Sequence, residues 1–80
     1  MTTPAEVTAM IAEALEISPD DLSPETAIAD VEEWNSIGWL TIMSLADERL
    51  NIQIGSRDIR GFKTVKDVTD YILNQVAAAS

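Results

Sequence analysis

The side chain best placed to do chemistry is the hydroxyl of Ser36, which follows Trp34 and Asn35 and precedes a long apolar run. Asparagine is among the preferred N-cap residues, so the sequence predicts Ser36 in the first turn of a helix, with its hydroxyl towards solvent. Unpaired backbone N–H groups and the positive end of the helix dipole lie beside such a position and suit a phosphate ester. Serine is also common in first turns that have no function, so a purely structural role stays open.

The residue types that are missing limit what the chain can do unaided. It has no cysteine, and therefore no disulfide, thiolate metal ligand or thiol nucleophile. It has no histidine either, which removes the commonest general base and a main metal ligand. We therefore expect no metal site, and a small enzyme is the weakest hypothesis because no nucleophile is paired with a base.

Charge is distributed unevenly along the 80 residues. Residues 1–48 contain 11 acidic side chains and no basic one, whereas the rest contains three acidic and all five basic side chains. The net charge of −9 repels nucleic acid and anionic membrane surfaces and attracts basic protein surfaces. No apolar run approaches the roughly 20 residues of a membrane-spanning helix, and no signal peptide is visible, so we expect a cytoplasmic protein without membrane insertion. The acidic residues could also serve only to keep a small domain in solution.

The elements that carry Ser36 can be predicted from capping residues and apolar spacing. A first helix begins with Thr3 as N-cap and Pro4 as its first residue, and it ends at Ser18-Pro19. Residues 18–35 then form a long loop, and an irregular connection of this length in so small a domain is usually functional.

The second helix is predicted from Ser36 to about Leu50, and its first three turns are apolar nearly all round. Such a helix is either central or has a second hydrophobic face for something else. Glycine inside a helix costs about 1 kcal/mol relative to alanine, so Gly38 indicates close packing or close approach at that point.

Two further helices complete the prediction. Ser56 caps a short third helix, residues 57–60, that stops at Gly61, and Thr64 caps a fourth. The expected fold class is all-α, with a single domain over residues 1–80. Its four helices form a bundle, with a long loop between helices one and two and a short third helix.

The motif and its setting together resemble the acyl carrier proteins, which are phosphopantetheine-binding carriers. The signature of that family is Asp-Ser-Leu, often preceded by tryptophan, and the corresponding run here is Trp34-Asn35-Ser36-Ile37. Further matches lie in residues 46–50, 52–54, 64–68 and 70–72, and the similarity runs without obvious gaps from Val7 to Val76. The short motif alone is weak evidence, but its position inside this framework is specific.

The resemblance implies that a phosphopantetheinyl transferase attaches 4'-phosphopantetheine from coenzyme A to Ser36. The thiol of that arm then carries acyl groups as thioesters, which agrees with a chain whose own residues supply no sulfur nucleophile. Asn35 departs from the family, which has aspartate there. The two are nearly equivalent as helix caps, but asparagine lacks the charge that a basic transferase would contact. Slower modification, a dedicated transferase and no effect at all stay open.

The resemblance also implies which face meets partner enzymes. The corresponding residues here are Ile37, Leu40, Ser44, Asp47 and Glu48. Two acids that the family carries on this helix are replaced by Gly38 and Thr41. We therefore expect a monomer that meets acyl-activating, condensing or acyltransferase enzymes through their basic or apolar docking faces, with more apolar contact than is usual. The alternative is that Ile37 and Leu40 are ordinary core residues.

The acyl pocket of the family lies between helices two and three. Larger side chains than usual occupy the corresponding places here, namely Trp39, Ile59 and Phe62. Because protein interiors pack to a density of about 0.75, these side chains leave little free volume. We hypothesise that the chain does not enclose a long acyl group in the ordinary way. It carries a short or polar group, or a long one that stays outside or enters a rearranged cavity. Alternatively, Trp39 simply packs in the core or lies on the surface.

The favoured function is a free-standing carrier that delivers acyl intermediates to the enzymes of a specialised pathway. Secondary metabolite, modified lipid or surface glycan assembly are examples of such pathways. An aminoacyl carrier is the nearest alternative, and the sequence does not separate the two. A hypothesis from another class is an unmodified acidic adaptor, whose binding patch would consist of Trp34, Trp39 and Ile37.

Overall fold

Four α-helices account for most of the regular structure in the computed structural model, which describes residues 2–79. They are α1 (Pro4–Leu15), α2 (Ser36–Leu50), α3 (Ser56–Gly61) and α4 (Val65–Ala79). Two single turns of 3₁₀ helix, Pro19–Asp21 and Ile28–Asp30, lie in the connection between α1 and α2. The predicted all-α bundle, with its long first connection and short third helix, is confirmed.

The two ends of α1 are capped in different ways. At the start, the Thr3 hydroxyl accepts a hydrogen bond from the Glu6 backbone N–H at 3.2 Å, as the cap prediction required. At the end, Glu16 adopts a left-handed conformation with φ of 59°, and its N–H bonds back to the carbonyls of Ala12 and Glu13. Together with the bond from the Ile17 N–H to the Ala12 carbonyl at 3.0 Å, this forms a Schellman C-cap. The prediction that Ser18-Pro19 ends α1 was therefore wrong, because the helix has already stopped at Leu15.

The connection between α1 and α2 is held to the rest of the fold by buried side chains and by backbone hydrogen bonds. Leu22, Ile28 and Trp34 are buried in the core, and Val31 is half-buried against it. The backbone of the connection also bonds to the segment that joins α3 to α4. The Ile28 N–H donates to the Lys63 carbonyl at 2.9 Å, and the Val65 N–H donates to the Thr26 carbonyl at 3.0 Å. The segment that leads into Ser36 is therefore held at both its apolar side chains and its backbone.

The core lies between the three long helices. Its largest completely buried side chains are Val7, Ile11, Ile42, Val65, Val68 and Ile72. Helix α3 contributes no buried residue to it. No helix in residues 2–79 is long and apolar enough to cross a membrane.

The start of α3 differs from the prediction. Ser56 is the first helical residue, and the N-cap is Gly55. The Asp58 carboxylate accepts the Gly55 N–H at 3.0 Å and so supplies the side-chain contact at this terminus. The cap of α4 is as predicted, because the Thr64 hydroxyl accepts the Asp67 N–H at 3.3 Å.

Candidate functional site

Ser36 is the first residue of α2 and its side chain is exposed. Asn35 precedes it in an extended conformation, and its Oδ1 accepts the Gly38 N–H at 3.0 Å. The predicted cap is therefore formed by Asn35 and does not involve the serine. No hydrogen bond within residues 2–79 uses the Ser36 hydroxyl, so this group is accessible to a modifying enzyme.

The first turn of α2 offers a place for an anion. The Gly38 N–H is bonded to Asn35, but the N–H groups of Ser36 and Ile37 have no acceptor within the described residues. No acidic side chain lies in this turn. Unpaired N–H groups at the positive end of a helix dipole favour a phosphate oxygen. The residues present therefore fit a phosphodiester on the Ser36 hydroxyl.

Gly38 explains how this turn can approach the preceding loop so closely. A Cβ atom at this position would lie 2.6 Å from the Glu33 carbonyl oxygen and 2.7 Å from Leu15 Cδ2. Neither distance is compatible with a real side chain, so the close approach predicted for this glycine is confirmed. The contact fixes the start of α2 against both the loop and the end of α1.

One face of α2 is open to solvent and follows directly from Ser36. Ile37 is 74 % exposed and Leu40 is 65 % exposed, so the alternative that they belong to the core was wrong. Ser44, Asp47 and Glu48 are exposed as well. The helical spacing of these residues makes a continuous stripe that is apolar near Ser36 and acidic at the far end.

The four aromatic residues of the chain form one row. The ring centroids of Trp34 and Trp39 are 5.2 Å apart, those of Trp39 and Phe62 are 6.0 Å apart, and those of Phe62 and Tyr71 are 5.4 Å apart. Trp39 is half-buried between its two neighbours, so it is neither a core residue nor a free surface one. Trp34 is 6 % exposed, so the hypothetical adaptor patch loses one of its three members.

The central pair of this row, Trp39 in α2 and Phe62 at the end of α3, lies where the family's acyl pocket is expected. Trp39 stacks on Phe62 with an angle of 25° between the ring planes, and Ile59 packs against the core beside them. Three well-formed surface concavities of the described chain have volumes of about 190, 320 and 240 Å³. None of them is lined by Trp39, Ile59 or Phe62.

Tyr71 closes the far end of the row and holds α3. Its hydroxyl donates to Asp58 Oδ2 at 3.0 Å and makes a longer contact with the Gln53 carbonyl at 3.4 Å. Burial raises the pKa of Tyr71, and the bond to Asp58 raises it further. Tyr71 and Asp58 lie 13 positions apart in the chain, and no pattern in the sequence indicated that they meet.

Sequence reasoning also missed the state of the Trp34 indole. Its Nε1 is buried and has no hydrogen-bond partner within the described residues. A buried donor of this kind is destabilising by about 1–3 kcal/mol relative to a paired one. Nothing in the order of residues identifies such a group, since it depends on which acceptors the fold brings near the ring.

Known proteins agree with this arrangement. Residues 5–72 match the family model described as "Phosphopantetheine attachment site". An acyl carrier protein of Thermosynechococcus vestitus is 30 % identical over 91 % of this chain and 90 % of its own length. One of Clostridium perfringens is 32 % identical, over 79 % of this chain and 83 % of its own.

A meromycolate extension acyl carrier protein of Mycobacterium tuberculosis is 31 % identical over 88 % of this chain, which spans 64 % of that longer relative. Among solved structures, the holo acyl carrier protein of Geobacter metallireducens superposes with a TM-score of 0.82. That match covers 99 % of this chain and 91 % of the other at 19 % identity, and it therefore supports the fold. The chain belongs to the acyl carrier protein family, whose members are carriers rather than enzymes and hold a 4'-phosphopantetheine prosthetic group.

Proposed function

We propose that Ser36 is the attachment point of the phosphopantetheine arm, and that the carrier serves a specialised acyl pathway in the cytoplasm. The observation that carries the proposal is the exposed Ser36 hydroxyl at the first position of α2, beside two backbone N–H groups that have no acceptor in residues 2–79. When bound, the arm supplies the thiol on which acyl groups are held. The chain itself presents the hydroxyl, places two N–H donors beside the phosphate, and displays the neighbouring face of α2.

Asn35 and the apolar end of the α2 stripe support the proposal that the partners are specialised. Asn35 keeps the cap through its Oδ1 bond to Gly38 but brings no charge to the motif. Ile37 and Leu40 place exposed apolar area next to the arm, and Gly38 and Thr41 bring no carboxylate to this part of the helix. A phosphopantetheinyl transferase and acyl-handling enzymes that dock here would gain more from apolar burial and less from ion pairing. The name of the mycobacterial relative shows that one similar carrier acts in meromycolate extension.

The aromatic row supports the proposal that the cargo is not enclosed between α2 and α3. Trp39 and Phe62 stack in this region with ring centroids 6.0 Å apart, so a chain of several methylenes that entered between them would have to separate the rings. The carrier therefore holds a short or polar group, or leaves a long one outside. Loading with dodecanoyl and acetyl arms tests this by NMR. We expect no nuclear Overhauser contacts from the dodecanoyl chain to the rings of Trp39 and Phe62. Such contacts, without movement of α3, would reject this part of the proposal.

Intact mass after incubation with coenzyme A and a promiscuous transferase tests the attachment site. The wild-type chain gains one phosphopantetheine, and the Ser36→Ala variant gains none. Ser56→Ala is the matched control, since Ser56 is also an exposed serine at the first position of a helix. This control variant should still gain the mass of one phosphopantetheine. A gain that persists in Ser36→Ala would overturn the assignment.

The Asn35→Asp variant restores the usual family residue and separates a slow transfer from a wrong site. If wild type reacts slowly and Asn35→Asp reacts fast, the transferase reads the charge at this position. If neither variant is ever modified, the carrier proposal fails.

A further inference from the structure

The basic residues fall into two groups with different surroundings. Arg49 pairs with Glu13, and Lys66 Nζ lies 2.8 Å from Asp70 Oδ2. The other three, Arg57, Arg60 and Lys63, are exposed, and none of their side chains makes an ion pair or hydrogen bond within residues 2–79. We call these three residues the cationic patch.

Helix stability does not account for the cationic patch. Arg57 lies in the first turn of α3, where the positive end of the helix dipole disfavours a cation. Arg60 follows three residues later on the same face, so the two like charges repel each other. Arg60 alone, in the last turn, is favourably placed. Three unpaired cations in a chain with net charge −9 therefore suit an interaction with something outside the chain.

An aromatic contact connects the segment that carries the cationic patch to α2. Phe62, between Arg60 and Lys63 in the chain, stacks on Trp39 with ring centroids 6.0 Å apart. Leu40, which follows Trp39 in α2, is 65 % exposed. The Lys63 backbone is fixed as well, because its carbonyl accepts the Ile28 N–H at 2.9 Å. A partner that covers both Leu40 and the Trp39–Phe62 contact would therefore reach the positive charges on either side of Phe62 in the chain.

We propose that the cationic patch docks against an acidic patch on the enzymes that engage the arm, while Ile37 and Leu40 fill apolar surface beside it. This inference rests on the proposed carrier function, because that function is what brings enzymes to this face. A uniformly basic partner surface would be attracted by most of the molecule but repelled at α3. A partner with acidic side chains opposite α3 gains favourable electrostatic binding energy at α3, and this contact fixes its orientation.

A defined peptide tests the docking. It is helical, with leucine along one face and glutamate on both sides of that face. Titrated into the ¹⁵N-labelled apo protein, it shifts the amide signals of the cationic patch together with those of Ile37 and Leu40, and the shifts weaken as salt is added. The same peptide with lysine for glutamate leaves the α3 signals in place. Equal shifts at α3 with both peptides, or none with either, would overturn the proposal.

A matched pair of variants identifies the charges responsible. Arg60→Glu and Lys66→Glu change the net charge equally, but only the first alters the cationic patch. We expect roughly threefold to tenfold weaker binding of the glutamate peptide to Arg60→Glu, and a change of less than about twofold for Lys66→Glu. Equal losses would show a general charge effect and contradict the proposal.

Two controls distinguish docking of an acidic partner from phosphate binding and from loss of the carrier function. Coenzyme A alone is titrated as a probe of phosphate binding. If it shifts the α3 signals at lower concentration than the glutamate peptide, the cationic patch takes phosphates and the proposed partner is wrong. The mass assay is run on the wild-type protein in parallel. Peptide docking that fails while Ser36 of the wild-type protein is modified removes only this inference, whereas an unmodified Ser36 in the wild-type protein removes the carrier function itself.

Discussion

Helices α2 and α3 are joined by the contact between Trp39 and Phe62 but are stabilised by different means. Helix α2 buries Gly38, Ile42 and Ala46 along one stripe and begins with a side-chain cap. Helix α3 has no buried residue, and its only side-chain bond to another helix in the described chain is that of Asp58 to Tyr71. The serine-bearing turn is thus fixed by core packing, whereas α3 is a surface element. Most positions of α3 are therefore free to carry charged side chains.

The largest difference between the two helices should appear when one isoleucine in each is shortened. Ile42 in α2 is completely buried, so Ile42→Ala should lower the free energy of unfolding by about 3–4 kcal/mol. Ile59 in α3 is half-buried, and Ile59→Ala should cost about 1 kcal/mol. Urea denaturation of both variants measures this. Comparable losses would mean that α3 is as much part of the core as α2.

Adding a methyl group at a glycine of each helix also tests whether α2 is packed more tightly than α3. Gly38→Ala places a methyl group against the Glu33 carbonyl and Leu15, and should cost about 1–3 kcal/mol. Gly61, at the end of α3, has open space around the corresponding position, so Gly61→Ala should be neutral or stabilising by up to about 1 kcal/mol. Thermal unfolding distinguishes them. A Gly38→Ala protein as stable as wild type would remove the argument that close approach fixes the serine turn.

Substitutions at the helix N-termini should also destabilise α2 more than α3, but by a smaller amount. Asn35→Ala removes the bond to the Gly38 N–H and should cost about 1 kcal/mol, whereas Asn35→Asp keeps an acceptor and should stay within about 0.5 kcal/mol of wild type. Ser56→Ala should change little, because Ser56 does not cap α3. Chemical denaturation of the three variants measures the order. A loss in Ser56→Ala equal to that in Asn35→Ala would contradict the assignment of Gly55 as the cap.

The sequence predicted features that depend on neighbours in the chain. Thr3, Asn35 and Thr64 cap helices because each offers an oxygen to an N–H group three residues later. The end of α1 was predicted wrongly because Glu16 takes a left-handed conformation that usually signals glycine. The cap of α3 was predicted wrongly because Asp58, not Ser56, bonds to the terminus.

Features that depend on distant segments could not be predicted. Helix α2 is apolar nearly all round, so its sequence alone left open whether Ile37 and Leu40 face solvent. The packing of Ile42 and Ala46 against the rest of the core decides it. The unpaired state of Arg57, Arg60 and Lys63 likewise required knowing where every carboxylate lies. The serine motif could be found because it is local, and the surface around it could not.

Tyr71→Phe is expected to produce the smallest effect and to weaken only the attachment of α3. It removes the hydroxyl bond to Asp58 and should cost about 1 kcal/mol or less at neutral pH. Burial, and then that bond, raise the pKa of Tyr71 above its ordinary value of 10.0, so the folded state holds the phenol proton more tightly than the unfolded state does. This contribution is complete below the unfolded pKa and is lost as pH rises through the folded one. The free energy of unfolding, measured by denaturation at a series of alkaline pH values, should therefore fall more steeply with pH for wild type than for Tyr71→Phe. Since both proteins share every lysine and arginine, parallel curves would show that the Tyr71 hydroxyl does not hold α3 in place.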